Sequence, residues 1–231
     1  MREMRIAVGL ESGRGGVLAH ALDLPGCVVA GSDAEDAVVA MPDQLSAWLR
    51  FLAGTGEAVP PRDAEIELAV DEWIDTGADI EAGETTVLFD HDRDPISREE
   101  VDRGLARLGD LRARLLRALR GMDRAAFEAE DGSLSISRVL DELARSQWWT
   151  LSRLGASPMA EVPEGILARL DTAQALTVQH FTELPDVRRG LLLEIDGEHW
   201  TPRKVMRRML ETEWSLGQVV LERARSLGDS A

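Results

Sequence analysis

The sequence predicts an α+β protein, with a small β-β-β-α-β module followed by an all-α module of four helices. Three observations predict this division. Segments that alternate between apolar and polar residues occur in the first third of the chain, and such alternation is typical of half-buried strands. Segments with apolar residues at helical spacing fill residues 97–231. The charge also changes, because residues 1–95 contain 20 acidic and 6 basic side chains whereas residues 96–231 contain 22 and 20.

The first module, residues 1–75, begins with a predicted β-hairpin. Residues 4–11 and 17–24 alternate between apolar and polar side chains, and the SGRGG segment between them supplies glycines that can adopt positive φ. Residues 27–30 predict a third short strand, and residues 65–74 predict a fourth.

One helix is predicted between the third and fourth strands. Ser32 or Asp33 is the expected N-cap, and acidic residues follow in the first turn, where they suit the helix dipole. Gly54 is the expected end of the helix. Pro42 lies inside this segment and indicates either a kink or the true start of the helix.

Three short motifs are specific to this module: DLPGC at residues 23–27, GSD at 31–33 and GEAVP at 56–60. Together with the element order, they give residues 4–75 a resemblance to HicB-like antitoxin domains. That resemblance implies a partial RNase H-like fold that is catalytically silent and that neutralises a small basic RNase toxin. Many HicB-like proteins add a DNA-binding module, and this chain contains no ribbon-helix-helix or helix-turn-helix candidate.

Residues 76–96 are predicted to be an acidic linker with a candidate extra strand at residues 85–89. His91 lies between Asp90 and Asp92 in this segment. The triplet has side chains that can hold a divalent ion, although such triplets in exposed linkers are usually solvated and bind no metal.

The second module, residues 97–231, contains four predicted helices. Ser97 with Glu100 three residues later is a capping-box pattern. The other helices begin at Ser135 or Ser137, near residue 163, and at residue 201 with Pro202 in the first turn. Four amphipathic helices most simply bury their apolar faces as a four-helix bundle.

Two of these helices are similar to segments of DinB-like proteins. They are SISRVLDELARSQWWTLSRLG at residues 135–155 and HWTPRKVMRRMLETEWSLGQV at residues 199–219. The resemblance covers residues 97–227. It implies a bundle that binds a divalent metal through one histidine of helix two and two of helix four, and some members are thiol-dependent transferases. The resemblance also implies a homodimer.

The histidines that the resemblance implies are absent from this chain. The helix-two position falls on Glu142, and the helix-four pair falls on Thr212 and Leu216, or one residue earlier on Glu211 and Ser215. The three-imidazole site of the family is therefore missing.

Four side chains are candidate ligands of a different, carboxylate-rich metal site: Glu142, His180, Glu211 and Glu213. Carboxylate sites of this kind occur inside bundles. Alternatively, the glutamates pair with arginines that lie near them in sequence, such as Arg145, Arg207 and Arg208, and the histidine makes an interhelical polar contact.

Trp149 and Trp214 are candidate walls of a ligand pocket in the bundle. Core packing is the alternative explanation, because buried tryptophans contribute large apolar areas to a helical core.

Charge and cysteine content limit the class of protein. The formal net charge of −16 disfavours direct binding to nucleic-acid phosphates. The acidic first module either favours a basic protein partner or simply confers solubility. No apolar run approaches the roughly 20 residues of a membrane span, and no signal-peptide segment is present, so we expect a cytoplasmic protein. The single cysteine, Cys27, is either a structural or a reactive thiol.

These observations lead to two hypotheses. The first is a noncatalytic binding protein with no cofactor, whose partner is a basic, toxin-like protein or a small molecule. The second is a metal-dependent hydrolase or thiol transferase of DinB type with a carboxylate-rich site.

Overall fold

In a computed structural model, the chain divides into two compact units, Met1–Asp94 and Pro95–Ala231. The structure describes residues 3–61, 64–81, 83–129, 134–156 and 162–228. Both the α+β class and the order of strands before helices agree with the prediction.

Unit 1 is built on a four-stranded sheet. Its strands are β1 (Glu3–Arg14), β2 (Gly16–Ala21), β3 (Val28–Gly31) and β4 (Glu65–Asp79), in the spatial order β3-β2-β1-β4. β1 pairs antiparallel with β2 and parallel with β4, and β2 pairs antiparallel with β3. A parallel pair needs a crossover, and the helix between β3 and β4 forms part of that connection.

This helix, α1 (Ala34–Gly54), begins as the sequence predicts and runs through Pro42 without ending there. The Asp33 carboxylate caps it by accepting a hydrogen bond from the Asp36 amide at 2.9 Å. The buried side of the helix includes Trp48, which lies against Gly26 of the DLPGC motif. A Cβ at Gly26 would lie 2.5 Å from the Trp48 ring, and its φ of 108° also favours glycine.

The segment after β4 differs from the linker predicted over residues 76–96. β4 continues to Asp79, α2 (Asp90–Arg93) follows, and residues up to Asp94 belong to unit 1. Residues 85–89 are irregular and do not form the predicted extra strand. Val87 and Phe89 from this segment are buried in a cluster with Leu22. Apolar burial therefore explains this run, and strand pairing does not.

Glu11 of β1 holds that segment in place from inside the unit. Its carboxylate is fully buried and accepts hydrogen bonds from the amides of Thr86 (2.8 Å) and Val87 (3.1 Å) and from the Thr85 hydroxyl. The His20 imidazole lies 3.7 Å away. Burial by itself raises the pKa of Glu11, but the contacts with His20, Thr85 and Thr86 outweigh it and lower the pKa to about 2.

Unit 2 contains four long helices: α3 (Arg98–Ala118), α5 (Ile136–Ser152), α6 (Ile166–Thr182) and α7 (Pro202–Gly228), with a short helix α4 (Arg124–Glu128) between the first two. α3 and α5 each pack against both α6 and α7, which is the arrangement of a four-helix bundle. The capping box predicted at the start of α3 is present, with the Ser97 hydroxyl accepting from the Glu100 amide at 3.1 Å.

The prediction that this module is all-α is wrong. A two-stranded hairpin, β5 (Leu193–Ile195) and β6 (Glu198–Trp200), precedes α7. Its turn is Asp196-Gly197, and both residues have positive φ (56° and 80°), as a tight two-residue hairpin turn requires. Three-residue strands are too short to show an alternating pattern. Within the described ranges, no helix is long and apolar enough to cross a bilayer.

We expect Glu11→Gln to reduce the free energy of unfolding at pH 7 by about 1–3 kcal/mol, because the amide cannot satisfy the same donors as a buried carboxylate. The folded-state pKa of about 2 lies below the ordinary value of 4.5. The stabilisation is therefore present above pH 4.5 and is lost as the pH falls toward 2.

Urea unfolding at pH 7 and at pH 3 measures this effect. The difference in the free energy of unfolding between wild type and Glu11→Gln should be smaller at pH 3 than at pH 7. Glu67→Gln, at an exposed glutamate of β4, is the matched control and should change the free energy by less than about 0.5 kcal/mol. An equal difference between wild type and Glu11→Gln at both pH values would contradict the assignment.

Candidate functional site

The interior of the unit 2 bundle contains a charged cluster centred on Arg112 of α3. Its guanidinium donates to both carboxylate oxygens of Glu213 on α7, at 2.8 and 2.9 Å. It also donates to the side-chain oxygen of Gln147 on α5 at 3.1 Å and to the carbonyl of Leu170 on α6 at 2.9 Å. One side chain thus contacts all three other long helices.

The geometry at Arg112 is that of a bidentate arginine–carboxylate pair, the strongest form of such a contact. Both side chains are almost completely buried. The Glu213 carboxylate is fully engaged by Arg112 in this arrangement. A metal ion would have to replace a fixed cation in order to use Glu213 as a ligand.

Glu211, one of the other candidate ligands, is buried and pairs with Arg207 one turn earlier on α7, at 3.2 Å. Glu211 therefore faces a cation as well. Leu216, at a position where the resemblance places a histidine, packs against the apolar core of the bundle.

Glu142 and His180 lie in different surroundings. Glu142 is exposed on α5 and accepts a hydrogen bond from Ser146 at 3.2 Å. His180 packs edge-on against Phe181 at a centroid distance of 6.1 Å. Burial lowers the pKa of His180, the nearby charge of Arg188 lowers it further, and Glu183 opposes the shift.

The four candidate ligands do not converge. Among the described residues, no group of three or more His, Cys, Asp or Glu side chains is arranged to hold a metal ion. At the positions where the resemblance places the ligands, Leu216 packs against the apolar core, Glu211 pairs with Arg207 and Glu142 is exposed. Glu213, the further candidate, pairs with Arg112. These residues do not fit a metal site. We therefore derive no chemical step through a metal at these positions.

The DHD triplet of unit 1 has a structural explanation. Asp92 is buried and accepts a hydrogen bond from the Phe89 amide at 3.1 Å, as part of the first turn of α2. Asp90 is exposed, and its carboxylate lies 3.4 Å from Arg93. Through these contacts, Asp90 and Asp92 stabilise the short helix α2, which follows the buried Phe89.

Cys27 is a structural thiol in this fold. It is fully buried and lies 3.7 Å from the sulfur of Met41 on α1. The same turn is fixed by Asp23, whose carboxylate accepts from the Ala7 amide at 2.8 Å. Reactive cysteines are partly exposed, whereas the Cys27 thiol is fully buried.

Trp149 belongs to an aromatic–cation cluster at the start of α7. Its ring is 43% exposed and meets the Trp200 ring edge-on, with centroids 5.4 Å apart. Arg153 lies over the Trp149 ring at 4.2 Å, and Arg208 lies 5.1 Å from the Trp200 ring. Cations over indole faces are favourable contacts, so this exposed tryptophan is held by charged neighbours.

Lys204, the only lysine of the chain, lies beneath the same cluster. Its ammonium group is fully buried, 4.2 Å from the Trp200 ring centroid. It donates to Glu198 at 2.7 Å and to the His199 carbonyl at 2.8 Å. Desolvation lowers the pKa of Lys204 to about 8, although Glu198 opposes this shift. The lysine thus joins the β5–β6 hairpin to α7.

Trp214, the second candidate pocket residue, is buried, and the Arg114 guanidinium lies 5.5 Å from its ring centroid. Trp214 is therefore part of the packed core, whereas Trp149 presents part of its side chain to solvent. The two tryptophans therefore have different surroundings.

Sequence reasoning identified Glu213 but missed Arg112 and Lys204. A signal for Arg112 is present, because it lies four residues after Leu108 and three before Leu115, on the apolar face of α3. A charged residue at such a position needs a buried partner. The spacing does not indicate where in the chain that partner lies.

No protein-family model, no curated protein and no solved structure matches this chain.

We expect Arg112→Met to lower the free energy of unfolding by about 3–5 kcal/mol, because it leaves the Glu213 carboxylate buried without its cation. The double variant Arg112→Met/Glu213→Met should be more stable than Arg112→Met, since both buried charges are removed. Urea unfolding of the four proteins in this double-mutant cycle measures the coupling.

Arg145→Met is the matched control, because Arg145 forms a helix-surface pair with Asp141 and is largely exposed. Its effect should stay below about 1 kcal/mol. If the changes in the free energy of unfolding caused by the Arg112 and Glu213 substitutions were additive, the two side chains would not be coupled, and the pair would not link the helices.

Proposed function

We propose that this protein is a noncatalytic binding protein, formed by an acidic HicB-like unit and a DinB-like bundle that does not use the family's metal site. One observation supports this most directly. The two buried glutamates of α7 that could replace the missing histidines are paired with arginines, Glu213 with Arg112 and Glu211 with Arg207. The bundle interior is organised around ion pairs between its own side chains.

The HicB-like assignment of unit 1 is supported by its element order and by its motif residues. The element order β-β-β-α-β agrees with the predicted order. In addition, β4 pairs parallel with β1. Three of the five DLPGC residues have a clear role in the fold. Asp23 accepts from β1, Gly26 allows close approach of Trp48, and Cys27 is buried.

The DinB-like assignment of unit 2 is supported by the four-helix arrangement and by the position of Trp200 and Lys204. The WTPRK segment joins the hairpin to α7, and its lysine binds the carbonyl of the residue before Trp200. This part of the motif acts as an internal clamp at the start of the last helix.

The partner of unit 1 is proposed to be a basic protein. Residues 1–94 contain 20 acidic and 6 basic side chains, which is a net charge of −14. Such a surface attracts cations and repels nucleic-acid phosphates. For a small molecule, the partly exposed Trp149 ring with Arg153 and Arg208 beside it is the contact surface that unit 2 offers.

We expect the full chain, purified without chelators, to contain far less than one zinc, nickel, manganese or iron ion per molecule. The physical reason is that arginines engage the carboxylates that would have to bind the metal. Elemental analysis of wild type and of Glu142→Ala is the measurement. Glu222→Ala, at an exposed glutamate of α7, is the matched control.

A stoichiometric metal that is lost in Glu142→Ala and kept in Glu222→Ala would overturn the proposal. That result would establish the alternative, a metal-dependent hydrolase or thiol transferase with a carboxylate-rich site.

A further inference from the structure

In the described part of the chain, no strand pairs with the outer edge of β4. At its C-terminal end, the amides of Gly77, Ala78 and Asp79 already donate to side chains. β4 is the last strand of the sheet order β3-β2-β1-β4, and among the described residues it pairs only with β1. It is also long, with 15 residues. An edge strand presents a row of N–H and C=O groups that can pair with another extended chain.

One face of this edge is apolar and partly uncovered. By the register with β1, Leu68 and Val70 point to the same face as the buried Ile6 and Val8, and Trp73 points there with Leu10. Val70 is 47% exposed and Trp73 is 63% exposed. A strand added to β4 would extend this face and cover both side chains.

The edge is also acidic along its whole length. Exposed carboxylates occur at Glu65, Glu67, Asp71 and Asp75. Arg5 of β1 pairs with Asp71, and no ion pair of Glu65, Glu67 or Asp75 is recorded for the described residues. The edge therefore carries net negative charge.

This charge decides between two occupants of the edge. If β4 paired with β4 of a second copy, one acidic row would lie opposite the other, and like charges directly across a strand pair destabilise it. A strand that carries lysine or arginine would instead meet opposite charges. Charged residues on an edge strand are a known protection against pairing with a second copy. An acidic edge still allows pairing with a strand that carries basic residues.

We propose that the outer edge of β4 binds an extended basic segment of a partner protein by strand addition. In such a segment, apolar residues face Leu68, Val70 and Trp73, and lysine or arginine residues alternate with them. Main-chain hydrogen bonds supply affinity in this recognition mode, and alternate side chains supply specificity. This inference rests on the proposed binding function and specifies its partner surface.

The probe is a fluorescently labelled peptide of five Lys-Val repeats, titrated into the full 231-residue chain at physiological salt. Fluorescence anisotropy gives the dissociation constant. Two further peptides carry N-methyl groups on every valine or on every lysine. In a strand, alternate residues direct their N–H groups to opposite edges, so one methylation pattern blocks the edge that faces β4 and the other does not.

We expect one N-methylated peptide to bind at least about tenfold more weakly than the parent and the other to bind within about twofold. Purely electrostatic adhesion would leave both methylated peptides equal, because all three carry the same charge. That result would overturn the proposal. The wild-type protein is used throughout this comparison, so it does not depend on how a variant folds.

A matched pair of protein variants locates the site. Val70→Lys places a cation on the apolar face of β4, and Val39→Lys makes the same change at an exposed position of α1. We expect Val70→Lys to weaken binding of the parent peptide at least about tenfold and Val39→Lys to change it less than about twofold. Equal losses in the two variants would place the peptide elsewhere.

Sedimentation of the wild-type protein tests whether a second copy of the chain occupies the edge of β4 instead. A dimer that Val70→Lys dissociates and Val39→Lys leaves intact would show that a second copy covers the edge, which would also overturn the proposal. Failure of strand addition is distinguishable from failure of the proposed function, because the latter is decided by metal content.

Discussion

The bundle of unit 2 depends on the guanidinium of Arg112. A buried charge destabilises a protein unless its hydrogen bonds are satisfied, and this one is satisfied only when the other three long helices are in place. Glu213, Gln147 and the Leu170 carbonyl come from α7, α5 and α6. Hydrophobic burial is non-directional, whereas these directed bonds specify one alignment of the helices.

The same interaction explains why carboxylates inside this bundle differ from those of a metal centre. A metal ion and an arginine compete for the same oxygen atoms. The arginine is part of the chain and matches a carboxylate with two parallel bonds. Because Glu213 and Glu211 are each paired with an arginine, these two acids of α7 form ion pairs that stabilise the helices.

Local patterns predicted local structure well. The sequence predicts the N-caps at Asp33 and Ser97 and the four long helices. This is possible because caps and apolar periodicity depend on residues that are close together in the chain. The sequence does not predict the Arg112–Glu213 pair, because the two residues lie 101 positions apart in the chain. Residues 85–89 were mistaken for a strand because burial beneath the sheet and strand pairing both select apolar residues.

The two units use charge in opposite ways, and this contrast underlies the proposed function. In unit 2, nearly equal numbers of acids and bases pair with one another, as at Glu198, which binds both Lys204 and Arg208. In unit 1, the buried acid Glu11 accepts hydrogen bonds from hydroxyl and amide groups and lies 3.7 Å from the His20 imidazole. Six bases cannot neutralise the 20 acids of this unit. Excess negative charge therefore stays at the surface, beside an unpaired strand edge. Self-repulsion destabilises a compact unit, and a basic partner strand would relieve it while completing the backbone hydrogen bonds of β4.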